Sequence, residues 1–226
     1  MYKIIAVLGD YYHRGDKIEE TLLSAVMSGI GERNLKEVKI VGIAELIHSL
    51  EEKPDAVVVF KENRLDPEGD SQSLWMTEEI AGAIQRYVEG GGGWLAWHSG
   101  LASYPVNGGY VQMLRGYFLS HPEMHQKVDY EGTDSRFTIR DEHYFVSCQE
   151  DQTEVYLRSS SIDGKSIAAW RHAYGEGRVC CFTPAHRPEG LGHPDVVRLL
   201  GEAIAWIAGS SRSVNPEMTT KEETAP

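Results

Sequence analysis

Nine histidines fall in 226 residues, and the chemistry open to this chain turns on where they stand. Imidazole titrates near neutrality, so it can serve as base, acid or metal ligand. His98 follows the apolar run Trp94-Leu-Ala-Trp97 with no residue between, where a strand gives way to a sharp turn. His121 and His125 have the spacing of two ligands on one helical face, and Asp141 or Glu142 would add oxygen. Such a donor set would take a divalent ion, zinc or manganese. His13 stands in the loop Gly9 to Asp16, and His186 in the loop Thr183 to His193. The expectation is that His98, His121, His186 and Asp141 or Glu142 converge on one pocket, with His125 nearby. In that pocket His98, His186, Asp141 and Glu142 are the expected catalytic groups and His121 and His125 the expected metal ligands.

Other chemistries fit less well. Ser99 lacks a Gly-x-Ser-x-Gly frame, and no cysteine stands at an exposed turn after a strand, so covalent catalysis is not expected. Gly90 to Gly93 precedes a strand and follows a helix, the reverse of a phosphate-binding loop, and reads as a turn. Gly175-Glu-Gly177 fits a hairpin turn. Cys148, Cys180 and Cys181 form no Cys-x-x-Cys pair and read as reduced packing residues, with strand alternation sending Cys180 and Cys181 to opposite faces.

The elements that must position these residues follow from periodicity. Lys3 to Leu8 and Asp55 to Phe60 are continuous apolar runs, as in strands buried on both faces of a parallel sheet. A helix is expected from Asp16 to Ile30, a short strand at Val38 to Val41, a short helix at Ala44 to Leu50, and a polar loop at Lys61 to Ser73. A further helix is expected at Trp75 to Glu89. From about Lys127 to Thr183 short strands follow without helices, at Arg136 to Arg140, Glu154 to Ser159, Ile167 to Arg171 and Arg178 to Thr183. After Pro194, Asp195 caps a last helix with apolar residues from Val196 to Ile207. This pattern predicts an α/β fold, a mainly parallel doubly wound sheet with an antiparallel extension. Residues 1–209 form one expected domain, and 210–226 a flexible tail rich in Ser, Thr, Glu and Pro.

The net charge of −12 and the lack of any Lys/Arg-rich run argue against nucleic acid and anionic membrane as partners. The first apolar stretch, Ile4 to Leu8, is too short for a signal-peptide core or a membrane span, so a cytoplasmic protein is expected.

Five short motifs occur in an order that resembles the trehalose-utilisation (ThuA-like) family. They are Gly91-Gly-Gly-Trp-Leu-Ala-Trp-His-Ser99; Leu114-Arg-Gly-Tyr-Phe118 with His121-Pro122; Asp141-Glu142-x-Tyr144; Ala169-Trp-Arg-His-Ala-Tyr-Gly-Glu-Gly-Arg-Val179; and Thr183 to His186. The chain departs from the family pattern in having Ala185 at a glycine position and a short polar loop between Asp129 and Arg136. The resemblance implies a flavodoxin-like, class I glutamine amidotransferase-like sheet. His98 stands where amidotransferases carry a cysteine nucleophile, so glutamine hydrolysis should be absent. It also implies sugar catabolism and a keto-sugar or 3-keto-glycoside substrate. A histidine would abstract the proton beside the ketone, giving isomerisation or C–O cleavage through an enediolate. His13, Ser99, Tyr104, Tyr144 and Arg171 are the expected substrate contacts. No nucleotide or redox cofactor is required, and a small sugar is the expected partner of a monomer or homo-oligomer. Two alternatives remain open: a non-catalytic sugar-binding protein using Trp94, Trp97 and Tyr104 as stacking faces, and a metal-dependent hydrolase of another polar substrate.

Overall fold

The computed structural model describes residues 1–69 and 73–209. The expected tail, 210–226, lies outside the described residues. Four strands, β1 (Tyr2–Leu8), β2 (Leu35–Ile40), β3 (Ala56–Phe60) and β4 (Gly93–Trp97), alternate with helices α1 (Gly15–Gly29), α2 (Ile43–Glu51) and α3 (Glu78–Glu89). They are followed by α4 (Gly109–Leu114), β5 (Gly116–Ser120), β6 (Gln126–Gly132), β7 (Ser135–Asp141) and β8 (Phe145–Cys148). The chain then runs through β9 (Glu154–Ser161), β10 (Gly164–Tyr174), β11 (Gly177–Phe182), α5 (Pro188–Leu191) and α6 (Pro194–Ile207).

One nine-stranded sheet runs in the order β2-β1-β3-β4-β11-β10-β9-β6-β7, and β5 pairs with β8 apart from it. Strands β2, β1, β3, β4 and β11 are parallel, and β10, β9, β6 and β7 continue the sheet antiparallel. Strand order reverses between β1 and β3, and in such sheets the crevice beyond the carboxyl ends of these strands is where ligands bind.

Side-chain alternation divides the core between two faces. Ile4, Val58, Leu95 and Phe182 face one way, in a cluster with Leu22 of α1 and Leu200 of α6. Ile5, Val57, Trp94 and Cys181 face the other way, in a cluster with Leu46 of α2 and Ile84 of α3. Cys180 and Cys181 therefore point to opposite faces, as alternation predicts, and all three cysteines are free.

Several elements differ from the sequence expectation. Helix α3 begins at Glu78 rather than Trp75, because the Thr77 hydroxyl accepts the Ile80 N–H and caps it there. The segment 121–125 lies in no helix but in the connection between β5 and β6, so the two histidines do not share a helical face. The expected loop between Asp129 and Arg136 is instead a hairpin, β6 pairing with β7. The Gly175 turn is present, with Gly175 at φ 58°.

Candidate functional site

Each parallel strand except the edge strand β2 delivers a polar side chain to the same edge of the sheet. After β1 the chain turns tightly at Gly9, and the Asp10 carboxylate accepts the N–H groups of Tyr12 and His13 and, across the crevice, that of Glu62. This fixes the loop carrying His13, whose Nδ1–H donates to Asp10 at 2.6 Å. Burial opposes ionisation of Asp10, but the hydrogen bond and charge of His13, aided by Ser99 and the Glu62 N–H, outweigh it and hold the carboxyl below its usual range.

His98 ends β4 in the left-handed region at φ 47° and is fully buried. Its ring stacks on Tyr144 with centroids 4.2 Å apart, and its Nδ1–H donates to the Thr183 carbonyl at 2.7 Å. A carbonyl only accepts, so the neutral ring keeps its lone pair on Nε2. Burial, reinforced by neighbouring His13 and His186 against the pull of Glu142, lowers the His98 pKa to about 4.

His186, in the loop after β11, is oriented through its backbone N–H, which donates to Asp141 Oδ1 at 2.8 Å. Its Nδ1 lies 2.9 Å from His13 Nε2, 3.4 Å from His98 Nε2 and 3.3 Å from Glu142 Oε2. Glu142 Oε2 is 3.5 Å from His98 Nε2, and all four donor atoms lie within 4.8 Å of one another. Burial would raise the Glu142 pKa, but His186 and His98 hold it well below the usual carboxylate range. Burial would lower that of His186, yet Glu142 raises it above the ordinary value.

The donor set fits a divalent ion. Three imidazole nitrogens and one carboxylate oxygen around a tetrahedral ion at ~2.0–2.2 Å would stand about 3.3–3.5 Å apart, as do His186 Nδ1 from His98 Nε2 and from Glu142 Oε2, and Glu142 Oε2 from His98 Nε2. The outward nitrogens of His13 and His98 are already committed to a carboxylate and a carbonyl, the arrangement that orients metal-binding imidazoles.

The geometry therefore redistributes the expected ligands. His121 and His125 approach the other oxygen of Glu142, at 3.4 and 3.9 Å from Oε1, and are not in the four-donor cluster. His13, expected as a substrate contact, joins it. Asp141 stands behind the site: buried at the end of β7, it accepts the His186 N–H and the Tyr130 hydroxyl, and burial raises its pKa to about 6. It positions His186 rather than reaching the cavity.

A cavity of about 440 Å³ opens beside the cluster, lined by Tyr12, His13, Ser99, His121, Glu142, Tyr144 and His186, and also by Glu62, Arg64, Ser103 and Phe118. Of the expected substrate contacts, Ser99 and Tyr144 line this cavity. Tyr104 does not line it: its hydroxyl donates to the Lys61 carbonyl and its ring is buried against Tyr110 and Trp75. Arg171 is remote, held by Glu154 and lying over Trp206. Trp94 and Trp97 are fully buried in the core and offer no stacking face. A second cavity, of about 530 Å³, lies around Pro54, Tyr87 and Gly90 and is lined by no histidine.

Sequence reasoning passed over Asp10 and Glu62. Glu62 stands two residues after β3, and Asp10 two after β1, each with one residue between, so the rule that selected His98 directly after its strand does not reach them, although both lie in loops that leave the carboxyl ends of parallel strands.

Together these features define a flavodoxin-like α/β protein with a histidine–carboxylate pocket at the switch point of its sheet. The family model for ThuA, trehalose utilisation, matches residues 20–207, and the chain belongs to that family. This membership connects it with carbohydrate utilisation. The fold is similar to that of a putative ThuA-like protein from Parabacteroides merdae (14% identity, TM-score 0.70, 92% of this chain and 90% of that one). A putative ThuA-like protein from Bacteroides uniformis is also similar (16% identity, TM-score 0.63, 91% of each chain), as is the cytoplasmic protein STM3548 from Salmonella typhimurium (12% identity, TM-score 0.61, 92% and 99%). No curated protein matches the sequence. Among the described residues no helix is long and apolar enough to cross a membrane.

Proposed function

We propose that this is a cytoplasmic enzyme acting on a keto-sugar or 3-keto-glycoside, with its reaction centre at His13, His98, His186 and Glu142. The observation that supports this most directly is the convergence of three imidazole nitrogens and a carboxylate beside a polar cavity large enough for a sugar. A divalent ion held by these four groups would supply the positive charge that stabilises an enediolate.

The remaining residues divide the work. His121 lines the cavity with its Nδ1–H directed at the Pro122 carbonyl, leaving Nε2 to take the proton from the carbon beside the ketone. Returned to the former carbonyl carbon while the hydroxyl proton of the enediolate passes to its other oxygen, that proton gives isomerisation. Delivered instead to the glycosidic oxygen as the C–O bond breaks, it gives elimination of the aglycone. Tyr144 and Phe118 present apolar faces that keep bulk water from the intermediate.

The test is to incubate the full chain with a panel of 3-keto-glycosides, with and without chelator, following products by mass and NMR. Turnover that chelation abolishes and an added divalent ion restores is the expected result. His98→Ala should lower it by about 10²-fold or more, a typical worth of an acid/base or oriented group. Failure of every keto-sugar to react, or to exchange its α-proton in D2O, would overturn the proposal. Cleavage of another polar substrate by the metal-loaded protein would favour a hydrolase instead.

A further inference from the structure

Besides the histidine cluster the cavity has a second built wall. Glu62, just after β3, has a side chain 4% exposed. Its Oε1 accepts the Ser103 hydroxyl and the Arg64 Nε–H, each at 2.6 Å, and Arg64 Nη2 also pairs with it. Oε2 takes no hydrogen bond from any described residue, although Glu62 lines the cavity.

The framework around this carboxylate is rigid. The Glu62 N–H is bound by Asp10 and its carbonyl accepts the Trp75 indole N–H. Asn63 is fully buried, accepting the Met76 N–H and donating to the carbonyl of Ser103. That contact helps hold Ser103 in the left-handed region at φ 64° with its hydroxyl on Glu62. A buried carboxylate with one oxygen saturated and the other left open is a strong acceptor for a ligand hydroxyl. Arg64, 39% exposed in its side chain, stands beside it as a donor to a neighbouring oxygen.

We infer that Glu62, Ser103 and Arg64 form a hydroxyl-recognition subsite that selects uncharged sugars and discriminates against phosphorylated or acidic ones. The carboxylate needs a donor, which a sugar diol supplies; a phosphorylated sugar or a uronate offers the same diol but brings its anion into a cavity already lined by the carboxylates of Glu62 and Glu142. The guanidinium that would otherwise attract an anion is neutralised by Glu62 itself. The inference rests on reading the cavity as a sugar site, as proposed above, but not on any reaction occurring there.

Binding of methyl α-D-glucopyranoside and of glucose 6-phosphate to the full chain can be measured by saturation-transfer NMR, with chelator present so that phosphate–metal contact does not enter. The uncharged glycoside should bind at least tenfold more tightly than the phosphate. Glu62→Gln should weaken it about ten- to a hundredfold, the range for a hydrogen bond to a charged group, and narrow the gap between the two probes. Ser103→Ala, which removes one of the donors to Oε1 and leaves Arg64 and the carboxylate in place, should weaken it less, and circular dichroism checks that both variants fold. Preference of the native protein for the phosphate, unchanged glycoside affinity in folded Glu62→Gln, or no glycoside binding at all would overturn the inference. Glu62-dependent binding without turnover of any keto-sugar would leave it standing and remove the proposed reaction.

Discussion

Asp10 touches none of the cavity chemistry directly, yet it sets the tautomer and direction of His13 through a 2.6 Å hydrogen bond. Replacing it by Asn keeps the size but removes the charge that makes the His13 ring a better donor to a cation. Asp10→Asn should therefore lower divalent-ion affinity by about 10- to 100-fold, a usual cost of losing such a supporting carboxylate. Zinc titration against a competing chromophoric chelator measures it. An unchanged affinity would remove His13 from the donor set. His98 and His186 were legible because each follows a parallel strand, and parallel strands end at one edge; Glu142, expected only as an alternative to Asp141, reaches that edge because β7 runs in the same direction as β11. Arg171 and Tyr104 were misread because nothing local says that Glu154 and the Lys61 carbonyl will claim them.

At the scale of elements, α1 and α6 meet with their backbones in close approach. A Cβ built on Gly29 would stand 2.0 Å from the Gly201 carbonyl oxygen, and one on Gly201 2.5 Å from that of Ala25. Both obstacles are backbone, so the helices must separate to admit a methyl group. Gly201→Ala should cost about 1–3 kcal/mol, the range for overpacking a filled core, read from urea unfolding. Gly15→Ala is the contrast: a Cβ there meets nothing within 4 Å, and the change should stabilise by about 0.5–1 kcal/mol through helix propensity and a less flexible unfolded chain. If both variants behave alike, the close helix contact is not what limits Gly201. Helices with a continuous apolar stripe were legible in sequence, whereas β6 was hidden: Val128 and Tyr130 face inward, but Lys127, Asp129 and Glu131 between them read as loop.

For the molecule as a whole, buried neutral imidazoles tie stability to pH. His172, on β10 and not in the donor cluster, donates from Nε2 to the Met113 carbonyl and leaves Nδ1 buried without a partner among the described residues. Burial, with the Arg115 charge, lowers its pKa to about 4, and His98 is lowered similarly. The unfolded chain takes up these protons near pH 6.5, the folded one only near 4. Their contribution is therefore whole above pH 6.5 and is lost as pH falls from 6.5 towards 4. For His172 that loss amounts to about 2–3 kcal/mol at ~1.4 kcal/mol per pKa unit. His172→Gln keeps a donor for Met113 and cannot titrate, so urea unfolding of metal-free protein should show a shallower decline over this window by about that amount. Equal slopes in the two proteins would mean that His172 is already protonated or exposed.

The sequence by itself determined the doubly wound α/β class, the antiparallel extension and the opposed cysteines, and it directed His98, His121, His186 and Asp141 or Glu142 towards one edge of the sheet. These depend on short-range periodicity and on the order of elements along the chain, both of which are written in the sequence. Only the tertiary structure decided that His13 joins His98, His186 and Glu142 while His121 and His125 stand outside, and that Asp141 is a support for His186. It also decided that Glu62 faces the cavity. Those outcomes depend on distances of a few ångströms between loops distant along the chain, and on which partner satisfies each buried polar atom. No local pattern encodes that competition, because it is settled when all the loops arrive together.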